Sequence, residues 1–150
     1  MAKAVCTLYG SDAKIYGSLV ITQAHEDAKS VITGELKGLP AGKHALHVNV
    51  FGDVSHPGGV FNPFGKNHGA PEDEERRVGS LGNVDVAEDG SVKVHIEDKL
   101  VKLIGPHSII GRSLVIHEGE DDLGKGGHDL SLQNGNSGLI KAFGVVGISS

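Results

Sequence analysis

The sequence predicts an all-β sandwich or barrel, and three observations carry that prediction. Apolar residues alternate with period two over short β-branched runs. Helical periodicity is nearly absent. Glycine is abundant, with 23 residues spread without a period, which suits many turns and close backbone approaches. With 4% aromatic residues and no Trp, the core must rest on Val, Ile and Leu.

The elements follow in order. Residues 4–9 and 15–22 are β-branched runs separated by Gly10-Ser11-Asp12, a turn signal. Residues 31–36 form the next run, closed by Gly38 and Pro40-Ala41-Gly42, and residues 44–51 form another. Residues 84–86 and 92–96 alternate strictly around Glu88-Asp89-Gly90, where Asp-Gly is a strong hairpin signal. Residues 113–117 and 139–148 complete about eight strands. Two stretches, 52–82 and 118–138, are polar, glycine-rich and without period. Structureless loops longer than about 12–15 residues are uncommon unless functional, and each of these follows a histidine-bearing strand.

Composition excludes several classes. A chain of 150 residues argues for one domain over 1–150, and 38% hydrophobic content is neither disordered nor membrane-spanning. A net charge of −5 without a Lys/Arg cluster argues against nucleic acid and anionic membrane. The start shows no apolar stretch with a cleavage site, so no signal peptide is expected. Cys6 is the single cysteine, which excludes an internal disulfide and suits a buried small hydrophobe. Together these features predict a cytoplasmic protein.

Nine histidines invite a metal hypothesis, yet no His-x-His, His-Glu-x-x-His or paired cysteine occurs. His25, His95 and His107 read as turn or solvated residues. His47 and His117 stand apart because each lies on an apolar strand beside a long loop. Residues two apart on a strand share a face, so His47 and Asn49 point the same way. An imidazole pair there would hold copper, whereas a carboxamide is a weak, hard donor.

The segments His44-Ala45-Leu46-His47-Val48-Asn49-Val50-Phe51-Gly52-Asp53, Phe61-Asn62-Pro63, His68-Gly69-Ala70-Pro71, Val78-Gly79-Ser80-Leu81-Gly82-Asn83, residues 109–118, residues 121–127 and Gly144-Val145-Val146-Gly147-Ile148 resemble the copper/zinc superoxide dismutase family. They occur in that family's order and span essentially the whole chain. The resemblance implies an eight-stranded Greek-key β-sandwich or barrel, immunoglobulin-like, with two long functional loops. It also implies copper held by four histidines and zinc by three histidines and an aspartate, one histidine bridging both. Position by position, it places copper ligands at His47 and His117 and a zinc ligand at His68. The remaining ligand positions are replaced, by Asn49, by Val60 at the bridge, by Arg77 and by Ser80. It places the aspartate linking the two metal sites at Asp121 and a structural histidine at His44. The family's anion-steering arginine falls on Ile140. Its C-terminal disulfide cysteine falls on Phe143, a ring expected to fill the vacated space, and the shortened loop 53–59 has no cysteine.

This ligand count predicts a dismutase-like protein without normal copper or zinc binding, without dismutase activity and with no catalytic residue, a pseudoenzyme acting by binding or regulation. Its partners would be a second copy, an authentic dismutase or the family's copper chaperone, through a homodimer or heterodimer. Arg77 is expected to replace the zinc charge and hold the long loop through carbonyls or carboxylates. The alternative is a residual superoxide dismutase or weak copper-binding protein, with His56 joining His47 and His117 in a rearranged site.

Overall fold

The computed structural model describes residues 1–150. The strands are β1 (Ala2–Gly10), β2 (Tyr16–Gln23), β3 (Ser30–Lys37), β4 (Gly42–Asn49), β5 (Ser80–Val86), β6 (Val92–Asp98), β7 (Ser113–His117) and β8 (Ile140–Ser149). One short helix, α1 (Ser131–Asn134), precedes β8. All eight strands join one antiparallel sheet in the order β5-β4-β7-β8-β1-β2-β3-β6, curled into a nearly closed barrel. Alternation puts Ala4, Cys6 and Leu8 of β1, Leu19 and Ile21 of β2, and Leu46 and Val48 of β4 inside, all 0% exposed. The eight-stranded β architecture expected from the sequence is present. No helix is long and apolar enough to cross a membrane.

Two elements differ from expectation. β5 begins at Ser80, inside the stretch that looks like loop, because Ser80-Leu81-Gly82-Asn83 carries no apolar alternation. α1 is four residues long, too short for a helical period to show in the sequence.

β4 positions the site. It is buried on both faces from His44 to Asn49. Leu46 and Val48 face the core, while His47 and Asn49 point outward beneath the two long loops. The first loop is tied to the end of β4 by backbone bonds. The Val48 amide donates to Gly79 O, Phe61 to Val48 O, and Gly79 to Phe61 O. A Cβ at Gly79 would collide with the Val48 carbonyl, so only glycine allows this approach.

The loop is anchored at depth by Arg76, 1% exposed. Its guanidinium donates to Pro71 O, Val78 O and both oxygens of Asp98 at the end of β6. Asp98 in turn accepts the amides of Leu100 and Val101. The side chain of Arg77, expected to do this work, is only half-buried and makes a single bond, Nε to the loop carbonyl of Lys66 at 3.0 Å.

Candidate metal centre

His47 and Asp121 form the middle of a buried polar chain. His47 Nε2 lies 2.9 Å from Asp121 Oδ2, and His68 Nε2 lies 2.8 Å from Asp121 Oδ1. His68 Nδ1 meets the Ser80 hydroxyl at 2.7 Å. At the other end, His47 Nδ1 and His117 Nε2 are 3.2 Å apart, and His117 Nδ1 lies 2.8 Å from Gly138 O. β4, β5 and β7 supply His47, Ser80 and His117, while the two long loops supply His68 and Asp121.

The second loop is held in place by Asn83 on β5. Its Nδ2 donates to Asp121 O, and its Oδ1 accepts the Asp121 amide at 2.7 Å. His44 braces the same corner, with Nδ1 3.0 Å from His117 O and Nε2 2.8 Å from Pro40 O.

The chain fixes where the protons are. Burial pushes the Asp121 carboxyl up, but hydrogen bonds from His47 and His68 outweigh it and hold it well below the usual carboxylate range. An ionised carboxylate only accepts, so the Nε2 atoms of His47 and His68 carry protons. Desolvation lowers the His47 pKa to about 4, so this ring is neutral near pH 7 and its Nδ1 holds a lone pair. Burial likewise lowers His117. The Gly138 carbonyl only accepts, so His117 is protonated at Nδ1 and its Nε2 holds a lone pair. Two lone pairs therefore face each other across 3.2 Å with no proton to share.

That arrangement fits a cation. Imidazole nitrogen suits copper, as it does zinc, iron and nickel. Asn49, on the same face as His47, donates Nδ2 to Gly58 O, but its buried Oδ1 has no partner. Its cross-strand neighbour Ser113 also has an unpaired buried hydroxyl.

The zinc positions are filled differently. Val60 is apolar, 5% exposed, and pairs with Asn49 in an isolated bridge. Arg77 turns to Lys66 O. His68 Nδ1 is already engaged with the Ser80 hydroxyl at 2.7 Å. The residues present therefore leave a two-nitrogen site that a copper ion would fit, and they do not complete the family's zinc set of three histidines and an aspartate.

The structure also separates residues the sequence groups. His56, expected as a substitute ligand, is exposed, stacks on Phe51 and does not join the buried donors. Ile140 lies across the ladder from His117 and puts an aliphatic side chain there. Phe143, expected to fill vacated space, is only half-buried and lines a surface groove with Tyr9 and Val54. Asn83, Arg76 and Gly135 carry parts of the site that sequence reasoning missed. Each makes its key contact with a residue far along the chain.

A near-closed antiparallel barrel with a buried histidine–aspartate centre under two long loops defines a β-barrel protein with a candidate metal centre. The family profile described as Copper/zinc superoxide dismutase (SODC) matches residues 15–146. The chain is 48% identical to "Superoxide dismutase [Cu-Zn]" of Cryptococcus neoformans var. grubii, over 155 aligned positions covering 100% of both chains. Proteins of the same name from Claviceps purpurea and Cordyceps militaris are 50% and 46% identical with the same coverage. The chain belongs to the copper/zinc superoxide dismutase family.

These findings correct the reading of a chain without normal copper and zinc binding and without dismutase activity that acts by binding or regulation. Relatives at 46–50% identity over their whole length are named as dismutases. The ligand-type atoms of His47, His68 and Asp121 lie within 4.8 Å of one another in one buried group, and through its Nδ1 His47 joins this group to His117. Counting replaced positions misses this because the count treats each ligand alone. The retained residues are joined through Asp121, so they keep their geometry together.

Proposed function

We propose that the chain is a residual superoxide dismutase whose copper is held by His47 Nδ1 and His117 Nε2, working in the cytoplasm. The facing lone pairs of these two buried, neutral imidazoles carry this reading. Copper, when bound, would supply the one-electron couple by which two superoxide ions and two protons become dioxygen and hydrogen peroxide.

The residues around it have separate tasks. Asp121 holds the proton of His47 on Nε2, which keeps Nδ1 free as a donor. Gly138 O does the same for His117 by holding its Nδ1 proton. Asn49 adds a buried amide oxygen on the His47 face. Val60 and Ile140 contribute neither a proton carrier nor a cation, which supports a residual rather than a full activity.

The test is metal content by elemental analysis after growth with copper and zinc, with superoxide consumption measured on the same sample. The expected result is copper near one per chain with activity above background, both lost in His47→Ala and in His117→Ala. Copper far below stoichiometry with background activity would overturn the proposal.

A further inference from the structure

The hydrogen-bonded chain ends at a residue that no part of the mechanism above uses. Ser80 is the first residue of β5 and lies in register opposite His47 on β4. Its amide donates to Arg77 O at 3.1 Å, closing the turn that delivers it. Its hydroxyl is fully buried and hydrogen-bonded to His68 Nδ1 at 2.7 Å.

His68 comes from a different place. It sits in the first long loop, held by its backbone amide to Leu132 O of the second. Its ring meets His47 edge-on, with centroids 5.2 Å apart and an interplanar angle of 80°. Two hydrogen bonds at opposite edges of the ring, to Ser80 and to Asp121, fix its rotation. Without the hydroxyl, Nδ1 would be a buried polar nitrogen with no partner, and only the Asp121 side of the ring would be held. Asp121 would then lose one of its two imidazole partners. The carboxylate orients His47, so the direction of the Nδ1 lone pair depends on this grip.

We propose that Ser80 is a positioning residue of the copper half-site. It clamps the His68 ring against the barrel, and through Asp121 it aims His47 Nδ1 at His117 Nε2. A hydroxyl on a strand thereby provides local order from within the chain. The proposal deepens the copper reading and rests on it for its functional meaning, but its geometry is measurable without metal.

The experiment uses the whole chain, wild type, Ser80→Ala and Ser80→Thr, first metal-free and 15N-labelled. In wild type, His68 should be protonated at Nε2, with Nδ1 accepting a hydrogen bond. In Ser80→Ala, the buried Nε2 proton of His47 should exchange with solvent faster, while the amides of Leu46 and Val48 keep their wild-type rates. General loosening of the barrel would accelerate all of them. Copper(II) affinity should fall about 10–100-fold in Ser80→Ala, with a changed copper hyperfine splitting, and recover in Ser80→Thr. Unchanged His47 proton exchange in metal-free Ser80→Ala would overturn the role of Ser80, whatever the copper result. Wild-type protein that takes up no copper would overturn the copper reading and leave the metal-free comparison to decide Ser80.

Discussion

The α-carbon of Gly135 packs against the carboxylate of Asp121. Gly135 closes α1 in the left-handed region at φ 73°, and a Cβ there would collide with Asp121 Oδ1 and reach within 3.0 Å of His68 Nε2. Gly135→Ala should therefore push Asp121 off its two histidines. The expected outcome is a fall in copper affinity of about 10–100-fold, as for other losses behind a metal ligand. The backbone strain adds a stability cost of about 1–3 kcal/mol. Copper titration and urea unfolding of the same variant check both, and wild-type affinity would mean that the carboxylate has room to move.

Acid should weaken the metal-free protein well before its carboxylates titrate. His47 has its pKa lowered to about 4 by burial, against about 6.5 in an unfolded chain. Between these values the unfolded state binds a proton that the folded state refuses, so stability falls as pH drops from 6.5 towards 4. His117 is shifted in the same direction. Asp121 is depressed, so the stability it contributes is lost only at lower pH, outside this window. The His47 contribution is about 3 kcal/mol across the full window. Unfolding in urea at pH 7 and pH 5 should show the loss, and His47→Gln should flatten it. A wild-type protein equally stable at both values would contradict the burial argument.

Arg76 and Asp98 should behave as one unit. The guanidinium and carboxylate are 1% and 4% exposed and meet at 2.6 Å, and Arg76 also holds three loop carbonyls, of Pro71, Arg77 and Val78. Removing one partner leaves an uncompensated buried charge. Arg76→Ala should cost about 3–5 kcal/mol in chemical denaturation. Asp98→Asn should also destabilise. A loss under about 1 kcal/mol would mean that water reaches the pair.

Phe143→Ala should cost about 1–2 kcal/mol, below the range for a buried aromatic truncation, because the ring is half-exposed in its groove and only part of its area leaves water. Thermal unfolding decides. A cost of 3 kcal/mol or more would show that the ring is packed as a core residue.

Most of the barrel was legible because each strand buries one face and therefore alternates, from Ala4, Cys6 and Leu8 onward. Gly38 and Gly90 marked the turns for the same local reason. The site was legible only in its individual ligands. His47 and His117 could be read from apolar strands beside loops, but the lone-pair pairing depends on Asp121 and Gly138, which come from the second loop. Ser80 looked like a lost ligand because a position-by-position reading records what is missing. Its bond to His68 exists only once the first loop folds back over β4. Arg77 stands at a replaced zinc position and so is the arginine the sequence points to, whereas the role of Arg76 depends on reaching Asp98 on β6.

Ionic strength gives the most direct test of how superoxide approaches. The chain carries a net charge of −5, and the cross-strand neighbour of His117 is Ile140, an aliphatic residue. An anion thus meets a repulsive protein with no cation at that neighbouring position. Salt shortens the range of repulsion to a Debye length of about 10 Å at 0.1 M, so the bimolecular rate with superoxide should rise as salt is added. Ile140→Arg should reverse the slope. A guanidinium beside His117 would draw the anion in at low salt, raise the rate there by about tenfold, and lose that advantage as screening grows. Pulse radiolysis over a range of sodium chloride, on wild type and variant at equal copper loading, measures both slopes. A wild-type rate that falls with salt would mean that another cation already steers the anion. The nearest charge on β8, Lys141, would then be the residue to replace.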